Sequence, residues 1–318
     1  MPVPSGGLVV SAVVRAQAAV VPGGAAWLAE LPRLLAALEQ AWAVQITGWI
    51  PGGTTSVVAR ARTAEGRPVV LKVAVPGDWF EQQVQTLAAA DGNGYVRLLA
   101  HDAGRHAALL EALGPSLQAG GLPPAAQLSV LGRLLGRVWR APPDPGQARD
   151  KAAELAELVL QQWEQLGRPC GEQVVEQALQ CARRRSAAFD PEAAVVLHGD
   201  AAAANAARVL APRDGTEDGY VLLDPDAFVG DRTYDLGVAL RDWSSELLDT
   251  GSPGRLVDGW SRVLADETST DPAAVADWGF LERVSTGLYV LSLTEDAAGR
   301  EHLRSAQALV DDWRSERS

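Results

Sequence analysis

Lysine is almost missing from this chain: Lys72 and Lys151 are the only two, against 26 arginines. Most cationic positions have drifted to arginine, so a lysine left inside an apolar strand calls for a specific explanation. Basic charge as a whole is short. The formal net charge is −12 and the isoelectric point is near 4.8, which argues against a nucleic-acid partner, whose binder would show a basic face. Cysteine is nearly absent too. Cys170 and Cys181 lie eleven positions apart with no histidine pairing, so neither a metal pattern nor a disulfide framework is expected. A reducing cytoplasm is the natural compartment. No apolar run is long enough for a membrane span. Leu8 to Arg15 lacks a basic start and is broken by Arg15, so it reads as neither signal peptide nor membrane segment. There is no internal repeat, no Gly-x-Gly-x-x-Gly and no Walker-type Gly-Lys-Ser/Thr.

What is present suits one large or two modest domains: 318 residues, 47% of them hydrophobic. Helical periodicity runs through residues 25–45. Strand-like runs follow at Val44–Ile50, Ser56–Thr63 and Val69–Val75, then a short helix at Asp78–Ala90 and strands at Val96–Asp102 and Ala107–Leu113. This predicts a five-stranded antiparallel sheet with one inserted helix over residues 1–113. Residues 114–124 are rich in Gly and Pro and read as a linker. Residues 125–318 are predicted to be mainly helical, with helices near 126–140, 147–166, 171–188, 233–248, 253–267, 272–294 and 297–316, interrupted by one hairpin.

That hairpin carries the chemistry. It reads His198-Gly199-Asp200, four alanines, Asn205, then Tyr220-Val-Leu-Leu-Asp224-Pro225. An Asp followed five residues later by an Asn, with a second Asp ending an apolar strand, is the spacing by which kinases place a base and hold magnesium. A polyphosphate donor brings its magnesium, and magnesium wants hard oxygen ligands. Asn205 and Asp224 supply them, while Asp200 faces the acceptor hydroxyl and takes its proton. Read without the rest of the hairpin, His-Gly-Asp is an ordinary turn.

Further candidates surround this core. Lys72 sits among branched aliphatics, where a charge is costly unless paired; phosphates and a glutamate on the next helix are its expected partners. Glu81 is the acidic residue on that helix, with Gln83 and Gln85 as substitutes. Gly52-Gly53-Thr54-Thr55-Ser56 could cover phosphates with N–H groups and a hydroxyl, or be a plain hairpin turn. The backbone of Glu111 to Leu113 could meet a nucleobase edge. Asp235 could cap a helix or accept the N–H groups of the His198–Asp200 loop. Asp242, Glu246 and Asp249 recur at i, i+4, i+7 and predict an acidic face for an amine or guanidine; Glu295-Asp296 is a second such candidate. Acidic stripes are more often solvated surface. The ten tryptophans read mostly as core.

These motifs resemble the aminoglycoside phosphotransferase superfamily, within it the streptomycin 6-kinase and hydroxyurea-type resistance kinases. Lys72, His198-Gly-Asp200-x4-Asn205, Asp224-Pro-Asp226 and Gly230-Asp-x2-Tyr234-Asp235-Leu carry the likeness, with Trp27 to Pro32, Val96 to Asp102 and Leu109 to Leu117 in support. It extends over residues 25–312. The resemblance implies an α+β, protein-kinase-like bilobal fold: a small antiparallel-sheet lobe and a larger helical lobe. It implies ATP (or GTP in its place) with Mg2+, and γ-phosphoryl transfer to a hydroxyl of a small polar, cationic compound. Asp200 becomes the base and Asn205 and Asp224 the metal ligands. Lys72, Glu81, Gly53, Thr54, Ser56, Glu111 and Leu113 fall on the nucleotide side, and Asp226, Asp242 and Glu246 on the acceptor side. A monomer or weak dimer is expected, with no nucleic-acid or membrane partner. The chain departs from the family at Ala201 to Ala204, where relatives carry a His and larger residues, so the acceptor floor is expected to differ. Two other readings remain: a metabolic kinase for an amino sugar or similar alcohol, and a nucleotide-binding pseudokinase that senses or scaffolds.

Overall fold

The computed structural model describes residues 8–51, 53–142, 144–293 and 297–315. The chain divides into two compact units. The first is Met1–Gly114 with Arg208–Val221, and the second is Pro115–Ala207 with Leu222–Ser318.

The first unit is built on β1 (Val44–Ile50), β2 (Ser56–Thr63), β3 (Pro68–Ala74), β4 (Leu98–Asp102) and β5 (Ala107–Glu111). They form an antiparallel sheet in the order β1-β2-β3-β5-β4, with β3 in the middle. Two helices, α1 (Ala12–Val20) and α2 (Gly24–Ala41), precede it. In α2, Trp27, Leu31, Leu35 and Leu38 recur at helical spacing and pack with Val14 and Ala18 of α1 and with Leu71 and Val73 of β3. The helix α1 was not foreseen. Ser11 caps it by accepting Val14 N–H at 3.1 Å, and its apolar face supplies Val14 and Ala18 to the core. The third helix, α3 (Trp79–Ala90), is the expected insertion between β3 and β4.

Residues 114–124, expected as a bare linker, carry most of β6 (Leu113–Ser116) and a turn of 3-10 helix at Gln118–Gly120. Arg208–Val221, expected with the second half, belongs to the first unit, and one side chain explains much of that. Arg213 donates to the carbonyls of Gly92 and Tyr95 and to the carboxylate of Glu111.

The second unit is helical: α4 (Pro124–Val138), α5 (Lys151–Gln165), α6 (Glu172–Ala187), α7 (Thr233–Arg241), α8 (Ser244–Asp249), α9 (Pro253–Thr268), α10 (Pro272–Leu293) and α11 (Ala297–Ser315). Between α6 and α7 run four short strands, β7 (Val195–Val196), β8 (Ala206–Val209), β9 (Tyr220–Leu222) and β10 (Val229–Gly230). β8 lies between β6 and β9, and β10 pairs with β7. Helix α10 is buried along most of its length. It meets α7 closely: a Cβ on Gly237 would stand 2.2 Å from the Cβ of Trp278, so only glycine fits there. Among the described residues no helix is long and apolar enough to cross a membrane.

The helix expected over 233–248 is two helices. It breaks at Asp242–Trp243, where Trp243 takes φ −103° and ψ 42° and its indole N–H turns back to Ala239 O at 3.0 Å.

Candidate active site

Lys72 stands in the central strand, opposite Val58 on β2 and Ala108 on β5. Its neighbours Leu71 and Val73 enter the core under α1 and α2, so alternation turns Lys72 to the other face. There it is 3% exposed. Its Nζ donates to Gln83 Oε1 at 2.9 Å and lies 5.7 Å from the ring centre of Trp79, both on α3. Glu81, the residue expected in that place, is exposed and accepts from Gln85 at 3.3 Å. The reason is helical phase: two residues along a helix is about 200° of turn, so the face that brings Gln83 inward points Glu81 out.

The other first-unit candidates are simpler. Gly53 and Thr54 are exposed in the β1–β2 connection, and Ser56 is buried at the start of β2. Gly53 O accepts the Ser11 hydroxyl at 3.3 Å. Gly52 lies outside the described residues, as does the Glu295–Asp296 pair. The carboxylate of Glu111 is committed to Arg97 N–H at 2.8 Å and to Arg213. Only its backbone, with that of Ala112 and Leu113, is left for a base edge.

In the second unit the Asp200 loop is held from three sides. Asp235, 0% exposed, accepts the N–H of His198 at 2.9 Å and of Gly199 at 2.8 Å, and the indole N–H of Trp139 at 2.9 Å. This is the bracing role rather than the cap, since Asp231 takes Thr233 N–H at 2.9 Å instead. Burial pushes the Asp235 carboxyl up, and the three donors oppose that. His198 Nδ1 accepts Asp200 N–H at 3.1 Å, which leaves Nε2 to meet Leu223 O at 2.9 Å. The His198 carbonyl takes Asp226 N–H at 2.7 Å. Gly199 has φ +89°, and a Cβ there would stand 2.7 Å from Asp226 Cβ.

Asp200 itself is half-buried. Asn205 donates to its Oδ2 and to its backbone carbonyl, both at 2.8 Å. Both amide N–H groups are spent this way, so the Asn205 oxygen points away from Asp200, as a metal ligand's must. Leu223 N–H reaches Asn205 O at 2.9 Å, which sets Asp224 beside Asn205 across the hairpin. Asp224 and Ala227 both take φ 58°, so the Asp-Pro-Asp turn is built from backbone that non-glycine residues seldom adopt. One carboxylate and one amide oxygen form too small a set to cage a cation alone. They fit Mg2+, which keeps water and substrate phosphates as its remaining ligands.

Arg241, the last residue of α7, was not foreseen. Its Nη2 donates to Asp200 Oδ1 at 2.5 Å, its Nη1 to Glu282 Oε2 at 3.1 Å and its Nε to Asp242 Oδ1 at 3.1 Å. Burial raises the Asp200 carboxyl, but the Arg241 charge and hydrogen bond more than offset it and hold the group below the usual range. Asp226 moves the other way, raised by the protein around it and then by the Asp200 charge. Its side chain nevertheless reaches the surface. The break at Asp242–Trp243 corrects the expected acidic stripe. Asp242 caps the end of α7 while Glu246 and Asp249 belong to α8, so the three do not share a helical face. Of the four alanines, Ala201, Ala202 and Ala203 are buried and Ala204 alone is exposed.

The chain has a kinase-like fold, an antiparallel sheet followed by a mainly helical part. Residues 41–292 match the model of the aminoglycoside/hydroxyurea antibiotic resistance kinase family, and the chain belongs to it. It is a phosphotransferase acting on hydroxyl groups. Streptomycin 6-kinase of Streptomyces griseus is 27% identical over 293 residues, covering 90% of this chain and 92% of its own. Two solved structures share the fold. An aminoglycoside phosphotransferase from Alicyclobacillus acidocaldarius has a TM-score of 0.54 at 15% identity, covering 85% of this chain and 92% of its own. Amicoumacin kinase hAmiN, in complex with AMP-PNP and Ca2+, has a TM-score of 0.55 at 12% identity, covering 89% of this chain and 95% of its own.

Proposed function

We propose that this chain transfers the γ-phosphoryl group of ATP to a hydroxyl of a small, polar, cationic antibiotic of the aminoglycoside kind, with Mg2+ as cofactor. The observation that carries the reading is the Asn205 amide. Locked by two hydrogen bonds to Asp200, it ties the base and a metal-facing oxygen into one rigid unit. Asn205 and Asp224 hold the cation, which shields the phosphate charges when bound. Lys72 anchors the phosphates, with the Gly53–Ser56 connection over them and the Glu111–Leu113 backbone at the base. Asp200 orients the acceptor hydroxyl and takes its proton as the oxygen–phosphorus bond forms; the bond to the bridging β,γ oxygen breaks and ADP leaves.

A cationic acceptor is favoured by local charge. Asp200, Asp242, Glu282, Asp226 and Glu246 outnumber the cations that act on them, Arg241, Arg283 and Lys151. The buried Ala201 to Ala203 leave only Ala204 to alter the acceptor floor. A relative solved with AMP-PNP supports a nucleotide donor. Two free cysteines, Cys170 and Cys181, suit a reducing cytoplasm.

The test is a panel of streptomycin, other aminocyclitols, amino sugars and hydroxyurea with MgATP, read by the mass of one added phosphate. Asp200→Asn is expected to abolish transfer while nucleotide binding persists. Unchanged turnover in that variant removes Asp200 as the base. Nucleotide binding with no transfer to any acceptor would favour a pseudokinase, and transfer confined to amino sugars a metabolic role.

A further inference from the structure

We infer that Arg241 is the positioning residue of the base: it fixes the Asp200 carboxylate so that one oxygen edge faces the acceptor hydroxyl. The inference rests on the assignment of Asp200 as base made above.

A carboxylate on a single Cβ turns freely about its last bond, and a base that turns is a poor one, because proton transfer needs a fixed lone pair. Oδ2 of Asp200 is held by the neutral amide of Asn205, at 2.8 Å. Oδ1 is held by Arg241, at 2.5 Å. The guanidinium is itself immobilised, since each of its three nitrogens meets a different carboxylate and its side chain is 15% exposed. Glu282, at 3% side-chain exposure, anchors the far side from α10. The two helices share one register there. Gly237 and Arg241 stand one turn apart on α7, and Trp278 and Glu282 one turn apart on α10. The contact of Gly237 with Trp278 therefore sets the height at which Arg241 meets Glu282.

A purely structural bridge between α7 and α10 would need only the Glu282 arm. The helices are already joined by the Gly237–Trp278 contact and by buried apolar residues on both. The Nη2 arm leaves that interface and ends on Asp200, where it adds nothing to helix packing and orients the reacting carboxylate. A flat guanidinium with fixed donors suits this task; a lysine ammonium would keep the charge and lose the fork.

The experiment measures transfer from MgATP to streptomycin, with release of inorganic phosphate to water as a second readout, in wild type, Arg241→Ala, Arg241→Lys and Asp200→Asn. A misplaced reacting group costs on the order of 100-fold, so R241A is expected to lose about that much in kcat with nucleotide KM within about twofold. Guanidinium ion at millimolar concentration is expected to restore roughly tenfold in R241A and nothing in D200N. Wild-type turnover in R241A, or a loss that guanidinium does not relieve, overturns the inference, the second outcome marking a merely structural arginine. Should R241A fail to fold, R241K is the deciding variant: it keeps the charge, and a kcat loss of about tenfold at an unchanged thermal midpoint is expected. Wild-type kcat in R241K then overturns the inference. Turnover in D200N equal to wild type would instead remove the assignment of the base, whatever the arginine variants do.

Discussion

Lys72 on the central strand donates to Gln83 on α3 at 2.9 Å, a buried cation meeting a neutral amide where kinases commonly place a glutamate. A glutamate there would add a negative charge beside the lysine, whereas the amide accepts one hydrogen bond and adds none. Gln83→Met keeps the volume and removes the acceptor. The variant is expected to lose about 1–3 kcal/mol of stability with the buried Lys72–Gln83 hydrogen bond. Nucleotide KM should rise several-fold with kcat less affected, because the lysine loses its guide. Denaturant melts and initial rates against MgATP check both, and a variant unchanged in KM would show that Gln83 does not orient Lys72.

The Asp200 loop depends on Asp235. Replacing it by asparagine keeps the shape but puts an NH2 group where three N–H donors converge. One acceptor oxygen remains, and at least one donor faces another donor in a fully buried place. Asp235→Asn should therefore destabilise by roughly 2–4 kcal/mol. It should also lower kcat, since the same bonds hold the backbone on either side of His198. Thermal unfolding with amide exchange at His198 and Gly199 reads the two effects together. Wild-type protection at both amides would count against the bracing role.

How far the sequence discloses this arrangement depends on the distance over which each residue acts. Asp200, Asn205 and Asp224 announce themselves because their geometry is local: a tight loop and one hairpin fix them, and spacing along the chain is nearly spacing in space. Asp235 was readable for a similar reason. Gln83 was readable only as a substitute for Glu81, since the two differ only in helical phase and the sequence does not fix that phase. Arg241 was less visible still. Two of the three carboxylates it joins lie 41 residues away on either side, and a lone arginine after Val-Ala-Leu looks like the polar end of a helix. The break after it carries no Gly or Pro, so the periodic pattern runs through Asp242 and Trp243 and makes one helix of two. Pairings between β6, β8 and β9 are likewise long in sequence, which is why residues 114–124 read as a linker.

Gly199 tests the same loop from the backbone side. Its φ of +89° is open to glycine alone at low cost, and the space a Cβ needs is taken by Asp226 Cβ at 2.7 Å and a Phe228 ring carbon at 3.0 Å. Strain of this kind costs on the order of 1–3 kcal/mol before the clash is counted. Gly199→Ala should fold less stably and lose kcat by tenfold or more, because relief of the clash moves Asp200 or Asp226. Equal kcat in G199A would mean that the turn tolerates displacement and that the base is not held by it.

His302 is expected to contribute to the acid sensitivity of stability. Its Nδ1 lies 3.1 Å from the Ser244 hydroxyl, and the same hydroxyl accepts from the buried Arg283 at 2.8 Å. Burial first, then the Arg283 charge, lower the imidazole to about 4, with Asp242 pulling the other way. An unfolded histidine titrates near 6.5. Between those values the unfolded chain binds the proton and the folded one does not, so stability rises with pH there. The contribution is complete above about pH 6.5 and is lost as pH falls toward 4, an effect on the order of 1–3 kcal/mol. The thermal midpoint should fall over this window, and His302→Asn, which keeps a hydrogen-bond partner for Ser244 without a titrating ring, should flatten the fall. Parallel midpoint-versus-pH curves for the two proteins would assign the acid sensitivity to other groups.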